Sequence, residues 1–348
     1  MSPSQSSSFG GAPITITGAN LTGATSVTVG GVAATSVVVV SSTSITAVTP
    51  AGTVGAKSVE VTTPSGTASA ADAFTYVVPT DGYTVIEQNV NSAVVTDATL
   101  RNAITASGLP WRVRDNGTNI EMLLVPAGTF TMGCSASNSY ACYPDESPTH
   151  QVTLTQAFYI GRYEVTQAQW TAKMGNNPSY FGGQPNNPVE QVSWNMIADT
   201  GGFTSVTGLR LPTEAEWEYA YRAGTTTAFH SYPAQPTGFN DDTLLGNIAW
   251  FNSNPENQTH AVGGKLANGL GLHDMAGNVY ECCQDWYDST YYASSPTTNP
   301  TGPATGSSRL LRGGSWHNFS DSCRASRRLN FTPGSFYNGA GFRVARNP

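Results

Sequence analysis

Short runs in which apolar and polar residues alternate fill residues 13–78. The runs at residues 26–29, 44–48 and 58–62 place Val, Ile or Ala at every second position, and Gly, Pro and Ser residues separate the runs. A period of two puts alternate side chains on one face of a strand. Several short strands joined by tight turns predict a small all-β sandwich, which we place at residues 10–78.

The pattern changes after residue 78. Residues 79–110 mix aliphatic residues with Asn, Asp and Thr, which predicts a connector containing a short helix at 98–107. Beyond it, Thr166 precedes a predicted helix ending at Lys173, and Pro212-Thr213 starts a second that Gly224 ends. Elsewhere residues 111–348 are typical of loops and short strands in a second domain.

The end of the chain contains a stretch with no regular period. Residues 312–316 (RGGSW) and 341–343 (GFR) frame residues 317–340, which mix aromatic side chains with Asn, Ser and Arg. Neither a strand nor a helix fits this pattern, so it predicts loops carried on a scaffold. Loops held by a rigid scaffold are where binding residues concentrate.

Composition narrows the class of protein. Charged residues make up only 11% of the 348 residues, which suits an exported, loop-rich β protein, and the net charge of −7 gives no reason to expect a nucleic-acid partner. No apolar run is long enough to span a bilayer, and the first residues, MSPSQSSSFGG, lack the pattern of a signal peptide. We expect a monomer.

Arginine and cysteine are unevenly distributed. Most of the arginines near the end of the chain have no acidic neighbour in sequence, so we expect them to pair with backbone carbonyls and with distant carboxylates. Cys134 and Cys142 bracket a short polar loop and predict a local disulfide. Cys323 is then expected to pair with Cys283 or Cys282, with Cys283 as the first choice.

The first domain resembles a known family. The residues that carry the resemblance are 14–21 (ITITGANL), 29–34 (VGGVAA), 49–50 (TP) and 73–76 (AFTY). They are similar to the immunoglobulin-like IPT/TIG family. The resemblance implies a spacer or interaction module without catalytic activity.

The second domain resembles the formylglycine-generating (sulfatase-modifying factor) family. The motifs are MLLVPAGTFTMG (122–133), YEVT (163–166), NPVE (187–190), LRLPTEAEWE (209–218), GLHDMAGNVYE (271–281) and RGGSW (312–316). The resemblance covers roughly residues 120–345. It implies that family's variant of the C-type lectin fold, a loop-rich α+β domain.

The enzymes of that family oxidise a substrate cysteine with copper held by two cysteines after the Gly-Gly-Ser motif. Aligned without gaps, this chain has Asn318 at the first position and Cys323 at the second. An alternative register makes Cys323 a structural cysteine that precedes an arginine. An amide cannot replace a thiolate on Cu(I), so on either register we expect neither copper nor enzymatic activity.

A second group of proteins with this fold agrees better with the positions at which this chain differs from the enzymes. The C-terminal stretch resembles the variable proteins of diversity-generating retroelements. In these proteins reverse transcription rewrites adenines, so that Asn codons of a template become codons for many other residues. The resemblance implies a diversified region at 317–340 that binds a protein or other surface ligand, on a bacterial cell or a phage. The residues expected to contact ligand are His317, Asn318, Phe319, Ser320, Ser322, Ser326, Leu329, Phe331, Phe336, Tyr337 and Asn338.

Two alternatives stay open for that stretch. One is an oxidoreductase of the formylglycine type with Cys323 as an essential thiol. The other is a structural surface module with ordinary loops, since lectin-fold loops are also rich in Asn, Ser and Tyr. We favour binding because Phe319, Leu329, Phe331 and Phe336 are too many large apolar residues for such loops to bury.

The enzyme family also implies one calcium site. Its ligands correspond to the carboxylates of Asp274 and Glu281 and the backbone carbonyls of Gly277 and Val279. Oxygen donors from one short segment suit calcium. In the alternative interpretation, Asp274 and Glu281 cap turns or pair with arginines. Calcium is the one cofactor that we expect.

Overall fold

The computed structural model of the chain describes residues 1–7, 10–77, 82–134, 140–254 and 256–348. Within them the chain divides into two units. The described residues of 1–77, together with 105–110 and 348, form the first unit, and the second contains residues 82–104 and the described residues of 111–347. Among the described residues, no helix combines the length and the apolar character that crossing a bilayer requires.

The first unit is a sandwich of two sheets. Its strands are β1 (Gln5–Ser7), β2 (Pro13–Thr17), β3 (Ser26–Val29), β4 (Val32–Ala33), β5 (Thr35–Ser41), β6 (Ser44–Val48), β7 (Gly55–Thr63) and β8 (Gly66–Val77). One sheet has the order β1-β8-β7-β3-β4 and the other the order β2-β6-β5. The three alternating runs of the sequence are confirmed as strands, and β1 shows that the sandwich begins before residue 10.

Alternate side chains of these strands form an apolar core. Val27, Ile45 and Phe74 are at most 1% exposed, and Phe74 meets Tyr76 edge to face at 5.1 Å. The Tyr76 hydroxyl donates a hydrogen bond to the Pro50 carbonyl at 2.5 Å, so the polar end of this buried ring is satisfied.

The predicted connector is wrong over most of its length. Residues Tyr83–Glu87 form β9, which joins the main sheet of the second unit, and Tyr83 is buried there. The helix predicted at 98–107 is confirmed as Ala98–Ala106, with Ile104 buried. The connector was predicted because the short run at β9 alternates weakly. Residues 79–81 of the predicted connector lie outside the described residues.

The second unit is built from short strands. They are β9, β10 (Arg112–Asp115), β11 (Glu121–Val125), β12 (Gly128–Met132), β13 (His150–Leu154), β14 (Phe158–Gly161), β15 (Ala249–Trp250), β16 (Ala276–Gly277), β17 (Tyr280–Trp286), β18 (Arg309–Arg312), β19 (Leu329–Phe331), β20 (Ala340–Gly341) and β21 (Ala345–Arg346). The sheet orders are β21-β14-β11-β10-β9, β12-β13, β15-β16 and β19-β18-β17-β20. The last of these sheets carries the C-terminal stretch.

The α-helices are α1 (Ala98–Ala106), α2 (Gln167–Met174), α3 (Trp194–Ala198), α4 (Phe203–Thr207) and α5 (Glu214–Arg222), and the 3₁₀ turns are Pro144–Glu146, Asp242–Asn247, Tyr291–Ala293 and Ser320–Cys323. The two predicted helix starts are confirmed. Thr166 and Thr213 each form a capping box with the residue three positions later. Ala223, in the left-handed conformation, and Gly224 then end α5.

The cysteines follow the prediction only in part. Cys134 and Cys142 form the predicted disulfide. The predicted bridge between Cys323 and Cys283 is wrong, because Cys282, Cys283 and Cys323 are all free and buried. Burial raises the pKa of each of these three thiols above its usual value, so they pack as small apolar side chains.

Candidate functional site

Four buried arginines tie the C-terminal stretch to the rest of its unit. Arg324 donates from Nη1 and Nη2 to the two oxygens of Glu146, at 2.8 Å each. Its partner lies 178 residues earlier in the chain. The other three pairs are Arg312 with Glu218, Arg328 with Glu214 and Arg343 with Glu281.

Two of these arginines, Arg312 and Arg324, also bind backbone carbonyls of the stretch itself. Arg312 donates to the carbonyls of Arg327 and Ala325, at 2.6 and 2.8 Å. The prediction that the C-terminal arginines pair with distant carboxylates and with carbonyls is confirmed. Because both ions of each pair are at most 2% exposed, losing one leaves an uncompensated buried charge, which costs about 3–5 kcal/mol.

The Gly-Gly pair ahead of the stretch is required by close packing. Gly313 and Gly314 have φ angles of +94° and +75°, which side chains rarely tolerate. A Cβ on Gly314 would lie 2.7 Å from Cys323 Sγ. The turn therefore lets the backbone lie directly against Cys323.

We call residues 317–340 the display segment. Phe319 and Phe336 are 71% and 65% exposed, so these two predicted contact residues lie on the surface. Two of the others lie on a β-strand and one is buried, as described below. The half-buried members of the predicted set are His317, Asn318, Ser320, Ser322, Leu329, Phe331, Tyr337 and Asn338.

Ser326 has to be removed from the predicted contact set. Its side chain is 1% exposed, and its hydroxyl donates to Glu146 at 3.0 Å and accepts from Arg324 at 3.2 Å. Because serine is polar, the sequence pattern predicted that Ser326 lies on the surface. Instead, Ser326 completes the hydrogen bonding of a buried ion pair.

Leu329 and Phe331 lie on a strand, although the stretch was predicted to be loops. Strand β19 pairs with β18, with Leu329 opposite Leu311 and Phe331 opposite Arg309. Three residues are too short a run for the alternation to be visible in the sequence. Because both side chains are half-buried, substitution at either removes packing as well as surface.

Near the start of the display segment, His317 contacts Tyr337. The Tyr337 hydroxyl lies 2.5 Å from His317 Nε2, which joins the two ends of the segment. Burial lowers the pKa of His317, so its imidazole is neutral at physiological pH. Trp316 donates from Nε1 to the Asn338 carbonyl at 3.1 Å and fixes the same two ends.

A row of aromatic rings continues from these residues beyond the display segment. The ring centroids of Trp316 and Phe181 lie 5.3 Å apart, and those of Phe181 and Tyr180 lie 5.0 Å apart. Tyr180 is 67% exposed. No sequence pattern marks Tyr180 or Phe181, because they lie far from the stretch in sequence and only the fold brings them together.

Residues 140–146 support the other side of the segment. The Tyr143 hydroxyl donates to Asp321 at 2.9 Å, and the guanidinium of Arg327 lies 3.7 Å over the Tyr143 ring. This support contains Glu146, the partner of Arg324. The disulfide formed by Cys142 closes the loop just before it.

On the ungapped register, the positions expected to correspond to the copper ligands are Asn318 and Cys323. Asn318 accepts a hydrogen bond from the Ser315 hydroxyl through its side-chain oxygen. Cys323 is fully buried, and its raised pKa keeps the thiol protonated. Among the described residues, Cys134, Cys142 and Glu146 lie close enough together to hold a metal through side chains alone, but the two sulfurs are joined in the disulfide.

The predicted calcium ligands lie in a buried acidic cluster. Glu281 accepts from both Arg343 and Trp217, so the alternative of an arginine pair holds for this residue. Asp274 accepts from the Gly263 amide through Oδ2, while its buried Oδ1 has no hydrogen-bond partner among the residues that the structure describes. Burial raises the pKa of Asp274 to about 6.

Glu164 adds another carboxylate to this cluster. Burial, together with repulsion from Asp274 and Glu281, raises its pKa well above the usual value. Three carboxylates therefore lie near two cations, Arg343 and Lys265. The excess negative charge and the unpartnered Asp274 oxygen fit a cation, and oxygen donors fit calcium.

The fold and the framed segment define a lectin-like domain that carries a C-terminal surface and that follows an Ig-like module in the chain. Residues 106–348 match the sulfatase-modifying factor enzyme 1-like domain, and residues 1–76 match the IPT/TIG domain. The chain therefore belongs to the sulfatase-modifying factor enzyme 1-like family.

Two curated proteins illustrate the relatives to which this chain is similar. Formylglycine-generating enzyme of Streptomyces coelicolor is 39% identical over 191 residues, which are 53% of this chain and 60% of the enzyme. Serine/threonine-protein kinase pkn1 of Chlamydia caviae is 32% identical over 253 residues, which are 65% of this chain and 38% of the kinase. The chain thus spans less than two thirds of either relative.

Two solved structures are matched over nearly their whole length. Treponema denticola variable protein 1 is 32% identical, with a TM-score of 0.57, covering 66% of this chain and 95% of that one. PvdO from Pseudomonas aeruginosa is 28% identical, with a TM-score of 0.59, covering 68% and 98%. The resemblance to a variable protein with the formylglycine-generating-type fold, preceded by an IPT/TIG domain, is confirmed.

Proposed function

We propose that this chain is a non-catalytic binding protein of the receptor or adhesion type, in which the display segment forms a diversified ligand-binding surface. The main observation behind this proposal is that residues 317–340 contain both buried, ion-paired side chains and exposed aromatic side chains. Arg324, Ser326 and Arg328 are buried and fixed by acids from distant parts of the fold, whereas Phe319 and Phe336 point into solvent. A surface built this way changes its exposed residues without losing its anchors.

Several further observations support this proposal. Exposed apolar patches mark interaction sites, and aromatic rings give contact area at low cost in conformational entropy. A solved structure similar over two thirds of this chain is named a variable protein. We propose that the chain acts at a bacterial or phage surface after export, as a monomer, on a protein or other surface ligand.

The test of diversification is genetic. We expect a reverse transcriptase gene near this one, and an adenine-rich near-copy of the DNA that encodes residues 317–340. Sequencing many isolates should place the substitutions at adenine positions of that copy, with codons 312–316 and 341–343 unchanged. Substitutions spread evenly over residues 111–348 would contradict the proposal.

The sequence identity to a formylglycine-generating enzyme keeps an oxidoreductase as the second candidate. Asn318 offers no thiolate and Cys323 is buried and protonated, which favours the binding role. Cu(I) titration and an assay on a cysteine-containing sulfatase peptide separate the two. Stoichiometric Cu(I) binding with turnover would overturn the proposal, and the Cys323→Ser variant would then identify the thiol.

We also propose that calcium is bound at Asp274, with carbonyls of Gly277 and Val279 as further donors and Glu281 at the edge of the site. Asp274 Oδ1 is the group that carries this proposal, because a buried carboxylate oxygen without a partner is costly. We expect calcium to raise the melting temperature relative to EDTA, and Asp274→Asn to remove that difference. Equal melting of the natural protein in both buffers would contradict it.

A further inference from the structure

The exposed aromatic side chains of the second unit concentrate around the display segment. Among the large apolar side chains of the described residues, the three most exposed are Phe319 at 71%, Tyr180 at 67% and Phe336 at 65%. Phe319 and Phe336 belong to the display segment, and Tyr180 adjoins it through the row of rings described above. Tyr180 lies outside residues 317–340, so diversification of that segment leaves it unchanged.

Tyr180 is held in position from below. The buried carboxylate of Glu190 accepts hydrogen bonds from the backbone amides of Tyr180 and Phe181, the latter at 2.8 Å. The amide of Glu190 in turn donates to the Ser179 hydroxyl at 3.2 Å. The exposed ring therefore stands on an ordered loop, and it has a fixed position from which to contact a partner.

The other flank of the display segment is acidic. The Ser320 hydroxyl donates to Asp242 at 2.9 Å, so Asp242 lies beside the residue that follows Phe319. Asp241 and Asp242 are both exposed, and Asp241 accepts from the Thr243 amide, an interaction that lowers its pKa. Asp321 adds a third carboxylate on the display segment itself. Arg327 is the nearby counter-charge, and it is stacked on Tyr143.

Aromatic faces and carboxylates in one surface favour one kind of partner. Lysine and arginine side chains are attracted both to the faces of aromatic rings and to carboxylates. An acidic partner would instead meet uncompensated like charge, which costs binding energy and slows association. Of the side chains on the two flanks, Tyr180, Asp241 and Asp242 lie outside the segment that is proposed to vary.

We propose that the partner of this surface is a protein segment that presents a lysine or arginine beside an apolar side chain, and that Tyr180, Asp241 and Asp242 form a constant part of its binding site. This inference rests on the binding function proposed above and goes beyond it by naming the partner's chemistry. Different sequences of the display segment would then select different partners that share a basic character.

The probe is a phage-displayed library of random dodecapeptides, selected on the full chain and then synthesised for affinity measurements. We expect lysine and arginine to be enriched among the selected peptides relative to the unselected library. Tyr180→Ser and the double variant Asp241→Asn/Asp242→Asn should each weaken binding on the order of tenfold, as loss of a central contact does. Binding should also weaken as NaCl rises.

Matched controls come from the first unit. Val40→Ser removes an apolar side chain that is 61% exposed, and Asp72→Asn removes an exposed acid there, so neither should change peptide affinity. Thermal melts of every variant establish that the fold is intact. The Phe319→Ser/Phe336→Ser double variant reports on the display segment itself.

The outcomes separate the two proposals. If the Phe319 and Phe336 changes abolish binding while those at Tyr180, Asp241 and Asp242 have no effect, the constant site is wrong and the binding function stands. Selected peptides without basic residues would overturn the partner's chemistry. Peptide binding that is indifferent to all of these residues would count against both proposals.

Discussion

The two units of this chain stabilise their interiors by different physical means. In the sandwich, the core consists of aliphatic and aromatic side chains, and Thr49 is the one polar side chain that is buried among the described residues of 1–77. The second unit instead buries ion pairs, of which Arg324 with Glu146 is an example. An apolar core tolerates gradual change, whereas a buried ion pair fails when either partner is lost.

Loss of one buried arginine should give the largest effect. We expect Arg324→Met to lower the free energy of unfolding of the second unit by about 3–5 kcal/mol, because Glu146 is left charged and buried. Urea unfolding with calorimetry measures it. Adding Glu146→Gln should restore part of the loss. A loss under about 1 kcal/mol in the single variant would show that water reaches Glu146.

The contrast should also appear in the response to pH. Burial, together with repulsion from Glu214, raises the pKa of Asp285 to about 8, and burial raises that of Glu190 to about 7. These carboxyls keep protons in the folded state that the unfolded chain has released, so stability falls as pH rises toward 8. One retained proton corresponds to about 1.4 kcal/mol per pH unit, or about 2 kcal/mol between pH 6.5 and 8.

Asp285→Asn provides the control for this pH dependence. The variant should lose the part of this pH dependence that comes from Asp285, since the amide does not titrate, and keep the part that comes from Glu190. The melting transition of the sandwich should be insensitive to pH in both proteins. A natural protein whose second unit becomes more stable between pH 6.5 and 8 would show that Asp285 is ionised in the fold.

A small truncation of one apolar side chain in the sandwich tests the other half of the comparison. Ile45 is fully buried, and Ile45→Val should cost about 0.5–1.5 kcal/mol by removing one methylene group. We expect it to shift only the transition of the first unit in a calorimetric scan. A single transition that moves with both Ile45→Val and Arg324→Met would show that the two units unfold together.

The smallest effect is expected on the display segment. Phe319→Ser and Phe336→Ser should each change stability by no more than about 0.5 kcal/mol, because both rings are mostly in solvent. Phe342→Ala is the matched buried change. Phe342 is fully buried against Phe203 and Trp170, so its truncation should cost about 3–5 kcal/mol. Equal melting temperatures for the exposed and buried variants would remove the distinction.

The same contrast explains what the sequence could predict. The sandwich strands follow from local alternation, and the helices after Thr166 and Thr213 follow from local capping, so both were predicted correctly. The family resemblance then gave the fold of the second unit. Strand β9 was missed because its short run carries little alternation.

Contacts between distant residues were beyond local patterns. The sequence indicated that the C-terminal arginines are paired, but nothing in it names Glu146, 178 residues away, as the partner of Arg324. For the same reason Ser326 was placed on the surface, Cys323 was given a disulfide partner, and Tyr180 was overlooked. Each error concerns which residues meet, a property that the fold decides.

The buried anchors inside the display segment have a consequence at the level of codons. If reverse transcription rewrites adenines between residues 317 and 340, a buried residue there survives only when adenine is absent from the codon positions that determine its identity. Arg324 and Arg328 should therefore be encoded by CGN triplets rather than AGA or AGG, and Ser326 by TCN rather than AGC or AGT. Exposed positions such as Phe319 and Phe336 should face adenine-containing codons, typically AAC, in the near-copy. The genetic code would then separate the framework of this surface from its diversity, residue by residue.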